Sequence, residues 1–357
     1  MTIDIYGTAR LVRSINSLDM PSQFLLGKFF PGLQTDPDSE EIHFDVENED
    51  LRLAPFVHPL VEGEVVQSRG YQTKSFKPAY VKPKTVLLPT APLKRLPGEA
   101  LTGSMSPMER RERLLAQALD DHRLMLDRRE EVMAAELLTT GKITVAGEQY
   151  PTVVVDFGRS GSLTKSLIGA SAWGEAGVDP LGDLEDWAGE VQTESGVTPR
   201  DVVMDPEAWK LFRSSPGVKE QLDRDAYRGG AMLDVGPMVR GQGNDKFSYK
   251  GSIGDLDFYV GQDAYIDPTT SARKKLLPDY TVILGAAPDP ATQSGGVEGV
   301  RAYGCIHDEE AGFQSERFFA KSWLKEDPAV RYLLTQSAPL PVLYRPNGVM
   351  CATVAGA

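Results

Sequence analysis

The sequence predicts a mixed α+β protein. Three observations carry that prediction. One helix signal is unusually long, at 106–140. Short β-type runs follow helical ones in irregular order. There is no internal repeat and no strand–glycine loop–helix unit of the kind that opens a doubly wound sheet. The long helix is bounded by clear signals. Ser106 is a good N-cap, Pro107 fits the first helical position, Glu109 completes a capping box, and Gly141 supplies a left-handed stop. Leu115, Ala118, Leu119, His122, Met125, Leu126, Arg129, Val132 and Met133 fall near one face at helical spacing. At 1.5 Å per residue such a helix is roughly 50 Å long, several times the ordinary length. Arg110, Arg111 and Arg113 crowd its first turns against the macrodipole. They form either a solvated charged face or one side of a contact with carboxylates elsewhere on the chain or on a neighbour.

Composition sets the bounds. The chain has 357 residues, enough for about two domains. Its 41% hydrophobic and 25% charged content is ordinary for a globular protein with a sizeable core. A net charge of −13 disfavours a dedicated nucleic-acid binder and suits a surface that stays soluble without gripping DNA. The two cysteines, Cys305 and Cys351, are too few and too far apart for a disulfide framework or zinc site, which points to a reducing cytoplasm. No run of 18 apolar residues predicts a membrane span, and the N-terminus lacks an apolar signal core.

In chain order, residues 1–35 read as an arm with one short helix around 22–30, which must dock on its own domain or on another subunit. Residues 36–98 split by charge. Eight acidic residues and no basic one occupy 36–50, where alternation of Ile42, Phe44 and Val46 argues a half-buried strand. Seven basic residues and no acidic one occupy 65–98, where five prolines exclude a central strand over most of the length. This is a long, partly extended loop with an acidic and a basic limb. After the long helix, 142–145 and 150–157 read as strands joined by a turn at Ala146-Gly147, with a third at 163–168. A helix closed by Gly196 lies between Trp173 and that glycine; 201–204 is a brief strand, and Asp205 caps a helix from Pro206, with another helical turn at 217–225. Residues 228–243 are glycine-rich and expected to be a mobile loop; 247–249, 256–260 and 280–284 read as strands, and strands and turns alternate from Arg301 onward.

No constellation rises to an active site. Cys305 and His307 would share a strand face, but sequence adjacency is weak support for a nucleophile–base pair. His43, His58 and His122 make no metal spacing, and Asp308, Glu309 and Glu310 read as a solvated turn. Asp179, Asp205, Asp267, Asp289 and Asp327, each before a proline, read as cap or turn residues, and the four tryptophans read as core. Neither a cofactor nor a catalytic or metal-binding residue is expected.

Nine ordered blocks give the chain a likeness: FLLGKFFPG at 24–32, VEGEVVQSRG at 61–70, PAYVKPK at 78–84, KRLPGE at 94–99, VDFGRS at 155–160, DPEAWKLFRSSPGVKEQLD at 205–223, SYKGSIGD at 248–255, RAYGCIHDEEA at 301–311 and KSWLKEDPAVRYLLTQSAPL at 321–340. Together they resemble the major capsid proteins of phage lambda and its relatives, the major capsid protein E family of tailed phages. The match weakens at 1–17, at 224–245 and over the last dozen residues. The resemblance implies a structural shell protein, not an enzyme, with the Hong Kong 97-type fold. Its parts would be an N-terminal arm at 1–35, an extended loop at 36–98, a peripheral domain at 99–174 with its spine helix at 106–140, an axial domain at 175–317, and strands at 318–357 returning to the peripheral sheet. It further implies hexamers and pentamers closing an icosahedral head around double-stranded DNA, built with scaffold and portal proteins and in some relatives a decoration protein. The setting would be the virion capsid, and the host cytoplasm during assembly. No fused scaffold or targeting segment is expected ahead of the arm. A cellular nanocompartment shell is the alternative of the same fold. The charged limbs supply candidate intersubunit contacts: Arg69, Lys74, Lys77, Lys82 and Lys84 against Asp45, Glu47 and Glu49 of a neighbour, with Arg110, Arg111 and Arg113 as further candidates.

Overall fold

The computed structural model describes residues 11, 23–35, 41–47, 56, 62, 71–97, 99, 105–147, 150–220, 232–233, 246–289, 296–327 and 329–356. Helix α1 (Phe24–Phe29) precedes strands β1 (Gly32–Thr35), β2 (Ile42–Glu47), β3 (Tyr71–Phe76) and β4 (Lys84–Leu87). The long helix α2 (Pro107–Thr140) follows, then β5 (Lys142–Gly147), β6 (Tyr150–Asp156), β7 (Thr164–Ser166), α3 (Pro180–Ser195), β8 (Asp201–Met204) and α4 (Pro206–Ser214). The remainder is strands: β9 (Met232–Leu233), β10 (Phe247–Ile253), β11 (Leu256–Gly261), β12 (Ala264–Ile266), β13 (Arg273–Lys275), β14 (Thr281–Gly285), β15 (Gly299–Tyr303), β16 (Phe319–Lys325), β17 (Val330–Gln336), β18 (Pro339–Leu343) and β19 (Val349–Thr353).

Local chemistry explains the helix ends. The Ser106 hydroxyl accepts from the Glu109 amide while Glu109 accepts from the Ser106 amide, and Gly141 stops α2 at φ 73°. Asp179 and Asp205 cap α3 and α4 through their carboxylates, and Gly196 ends α3 in the left-handed region. Residues 216–220 are helical; the glycine-rich stretch 228–243 lies outside the described residues apart from β9, which pairs with β10.

A seven-stranded mixed sheet runs in the order β7-β19-β14-β8-β11-β10-β9. Its central strands are buried on both faces, and side-chain alternation sends successive residues into two different cores. Val203, Ile283 and Cys351 join the core built on α1 and the C-terminal half of α2. Val202, Met204, Val282, Leu284 and Met350 join the core of α3 and α4, where Trp173, Trp187, Trp209, Phe212 and Phe258 pack. The N-terminal half of α2 packs elsewhere: Leu115, Ala118 and Leu119 meet Ala320 and Leu333 of the three-stranded sheet β16-β17-β4. The long helix is therefore a rod with a different sheet system under each half.

The 65–98 limb, expected as a partly extended loop without a central strand over most of its length, holds β3 and β4; both are edge strands, which is where a proline-rich segment can pair. Two expectations are corrected. The last strands do not return together: β16 and β17 pair with β4, β18 pairs with β15, and β19 enters the seven-stranded sheet beside β14 and β7. The buried face of α2 is rotated toward its charged residues. Met125 is 54% exposed and Arg129 half-buried, whereas Arg123, Asp127, Glu130 and Glu131 are buried.

Candidate assembly surfaces

The acidic and basic limbs meet first within the chain. β2 and β3 form an antiparallel ribbon in which Phe44 opposes Lys74, Asp45 opposes Thr73 and Glu47 opposes Tyr71. Glu49 and Arg69 lie outside the described residues. Lys74 donates to the Asp156 carbonyl at 2.7 Å. Lys82 sits over the Tyr80 ring at 4.6 Å, and Lys84 over Tyr332 at 4.0 Å. Lys77 is exposed. Three of the predicted lysines, Lys74, Lys82 and Lys84, thus make contacts inside their own subunit.

The arginines at the start of α2 divide in the same way. Arg110 forks onto Glu99, with Nη2 donating to Oε1 at 2.6 Å and Nε to Oε2 at 2.9 Å. Glu99 also accepts from the Leu96 amide at 3.0 Å. The guanidinium beside it holds the Glu99 carboxyl down to about 2. A cation at the wrong end of the helix is thereby answered by a carboxylate eleven residues upstream, which pins the turn at 91–99 against the helix start. Arg113 is exposed beside Met105, and Arg111 lines a cavity of about 600 Å³ between α2, β4 and the β16–β17 tip. Around that cavity the apolar side chains of Val86, Leu88, Leu93 and Leu324 are exposed at 46–69%, a patch of the kind that marks protein contact. Trp323, expected in the core, is 36% exposed on the same sheet and stacks on Tyr332.

A buried charge network docks α1 on α2. The N-cap residue of α1, Gln23, makes no capping bond with its side chain. Glu131 of α2 takes that role from outside, accepting from the Leu25 amide at 2.8 Å and the Leu26 amide at 3.1 Å. Burial pushes the Glu131 carboxyl up to about 7, against the lowering effect of those two amides. Next to it, one Arg317 nitrogen donates to Asp127 at 2.9 Å, Glu130 at 2.8 Å and Gln23 at 3.0 Å. The Tyr303 hydroxyl donates to Glu130 at 3.2 Å. Burial raises Asp127 to about 6. Arg301 donates to the Phe30 carbonyl at 2.8 Å, closing the far end of α1. Seven charged or polar side chains from four separate stretches, at 23, 127–131, 301–303 and 317, thus hold the arm helix to the long rod. Pattern reading gave Asp127, Glu130 and Glu131 no role of their own; only the partner at 317, almost two hundred residues away, reveals it.

The remaining histidine of the long helix is structural. His122 is buried with Nδ1 3.0 Å from the Thr335 hydroxyl and Nε2 2.7 Å from the Thr85 hydroxyl, and burial lowers its pKa. Cys305 points its thiol at the Phe313 carbonyl, 2.7 Å away, while the Tyr80 hydroxyl donates to the Cys305 carbonyl and its ring lies tilted against His307. Among the described residues no group of three or more His, Cys, Asp or Glu side chains could hold a metal, and no helix is long and apolar enough to cross a membrane.

Charge clamps, exposed apolar edges and a long helix spanning two cores are what the described residues present. Residues 7–354 match the family model described as phage major capsid protein E, and the chain belongs to that family. It is 37% identical over 310 residues to the major capsid protein of Escherichia phage N15, covering 83% of this chain and 84% of that one. Against the major capsid protein of Escherichia phage lambda the identity is 36% over 304 residues, again covering 83% and 84%. The fold is that of a solved putative capsid protein of an E. coli CFT073 prophage, with TM-score 0.69 and 23% identity over 98% of this chain and 99% of the other. A phage-related protein of Bordetella bronchiseptica shares it at TM-score 0.55 and 13% identity over 96% and 95%. The chain is accordingly a structural capsid component of the virion, not an enzyme.

Proposed function

We propose that the chain assembles as hexamers and pentamers into the icosahedral head that encloses double-stranded phage DNA. One observation carries the reading: the match to the phage major capsid protein E family runs over 7–354, nearly the whole of the given chain. Scaffold and portal proteins, and an outer decoration protein, are its partners, and assembly takes place in the host cytoplasm. The identity of 36–37% is to phage capsid proteins, which favours a DNA-filled head over the nanocompartment alternative. In this reading 1–35 is the arm, with α1 clamped by Glu131; 36–98 is the extended loop built on the β2–β3 ribbon. Residues 99–174 form the peripheral domain on α2, with β16 and β17, and 175–317 form the axial domain, to which β19 is added. The net charge of −13 keeps an inner wall from gripping DNA. Lys77, Lys82, Arg111 and Arg113 remain contact candidates with Asp45, Glu47 and Glu49 of a neighbour.

Electron microscopy of the purified protein, alone and after co-expression with its neighbouring genes, tests this. Closed uniform shells, or six-fold and five-fold rings, are expected. A monodisperse monomer under every condition, with scaffold present, refutes it.

A further inference from the structure

Two features of the surface fit one another. The first is a rigid turn at 308–313. Asp308 caps a short 3-10 segment through the Glu310 amide, the Ala311 amide bonds to the Asp308 carbonyl, and the Cys305 thiol donates to the Phe313 carbonyl. Lys321 anchors Asp308 from β16. On this frame Phe313 is held at φ +56°, a conformation that bulky side chains rarely adopt, with its side chain 54% exposed. Glu309 and Glu310 are exposed beside it. Strain of this kind persists only where the surroundings impose it and is concentrated at functional positions. Here it holds an aromatic ring out in water on a turn that also carries two exposed carboxylates.

The second feature is a groove of about 700 Å³ between the middle of α2 and the β12–β13 hairpin. Met125, Val132 and Ile266 make it apolar; Arg128, Arg129 and Arg273 make it cationic. These three arginines have no hydrogen-bond or ion-pair partner among the described residues, and no acidic residue lines the groove. Met125 and Ile266 are exposed at 54% and 70%. The groove has room for an aromatic side chain together with its turn, and the arginines complement the two carboxylates. Lys82 borders both the groove and the hollow beside Asp308 and Glu310, so the two features are neighbours on the surface of one subunit.

We propose that the 308–313 turn of one subunit inserts Phe313 into the Met125–Ile266 groove of a second copy, with Glu309 and Glu310 meeting Arg128, Arg129 and Arg273. This rests on the self-assembly proposed above. An aromatic anchor in an apolar pocket, ringed by charge pairs that fix register, is the arrangement that concentrates binding energy at interfaces. A protein whose net charge is −13 needs such local basic sites to attract its own copies.

The test places the photo-crosslinking residue p-benzoylphenylalanine at position 313. Isotopically heavy and light subunits are co-assembled, irradiated, and the shells purified and digested. Mixed heavy–light crosslinks to peptides carrying residues 125–132 or 264–273 are expected. Shells that form normally but crosslink elsewhere, or only within one chain, overturn the contact while leaving the capsid reading intact. Absence of any shell from the unmodified protein with its scaffold refutes the capsid reading itself. In parallel, Phe313→Asp and Arg273→Glu should each cut shell yield by about tenfold or more, the scale of an interface anchor, with unchanged circular dichroism melts. Full shell yield from both variants also overturns the contact.

Discussion

Replacing Arg317 by alanine is the sharpest probe of the network that holds the arm helix. The guanidinium satisfies Asp127 and Glu130, whose side chains are only 1% and 2% exposed, so water cannot take its place. Removing one partner of a buried ion pair costs about 3–5 kcal/mol, because the charge left behind is uncompensated. Two features of the site place Arg317→Ala near the lower end of that range. Arg123 stays 3.7 Å from Asp127, and Asp127, already raised to about 6, can take up a proton once the cation is gone. The expected loss is therefore about 3 kcal/mol, read by urea unfolding of unassembled subunits. Hydrogen exchange should localise the loss to the peptide 23–30. Adding Asp127→Asn and Glu130→Gln to Arg317→Ala removes the stranded charges and should recover at least half of the stability. A single variant within about 1 kcal/mol of the parent, or a triple variant no better than the single, would refute the reasoning.

Other predictions follow from the same geometry. Gly299→Ala should loosen α1 without altering any residue of the charge network, because its Cβ would lie 2.0 Å from the Phe29 carbonyl; faster exchange at 24–30 checks this, and an unchanged rate contradicts it. Gly141→Ala should cost about 1–2 kcal/mol from the left-handed backbone alone, with further loss because its Cβ would meet the Arg159 Cβ at 2.8 Å; a urea midpoint equal to the parent's contradicts it. The neutral form of Glu131 is the one burial favours. Its contribution to stability is full below its ordinary range near 4.5 and is lost as the pH rises through about 7. Protection of 24–30, corrected for intrinsic exchange, should fall across that window, and Glu131→Gln, neutral throughout, should flatten the slope. His122 acts with the opposite sign. Burial lowers its pKa, so its contribution is present above about 6.5 and is lost as the pH falls below that value. His122→Gln should therefore reduce the acid sensitivity of exchange in peptides spanning Thr85 and Thr335.

Much of this molecule was legible in its residue order, and the reason is that local chemistry fixed it. Ser106, Glu109 and Gly141 set both ends of the long helix through bonds spanning no more than four residues, and Asp179, Asp205 and Gly196 did the same for α3 and α4. Alternation of Ile42, Phe44 and Val46 announced β2. The ordered blocks that resemble lambda-type capsid proteins announced the family. What the residue order could not state was which distant groups share a dry site. The carboxylates at 127, 130 and 131 look like a solvated helix face until Arg317, Tyr303 and the bare amides of α1 are brought against them. Lys74 and Lys84 look free to reach a neighbour until Asp156, Trp323 and Tyr332 occupy them. Backbone propensity and capping act over a turn or two and are written in adjacent letters. Desolvation and charge pairing depend on what the folded chain excludes from water, and only the tertiary structure decides that.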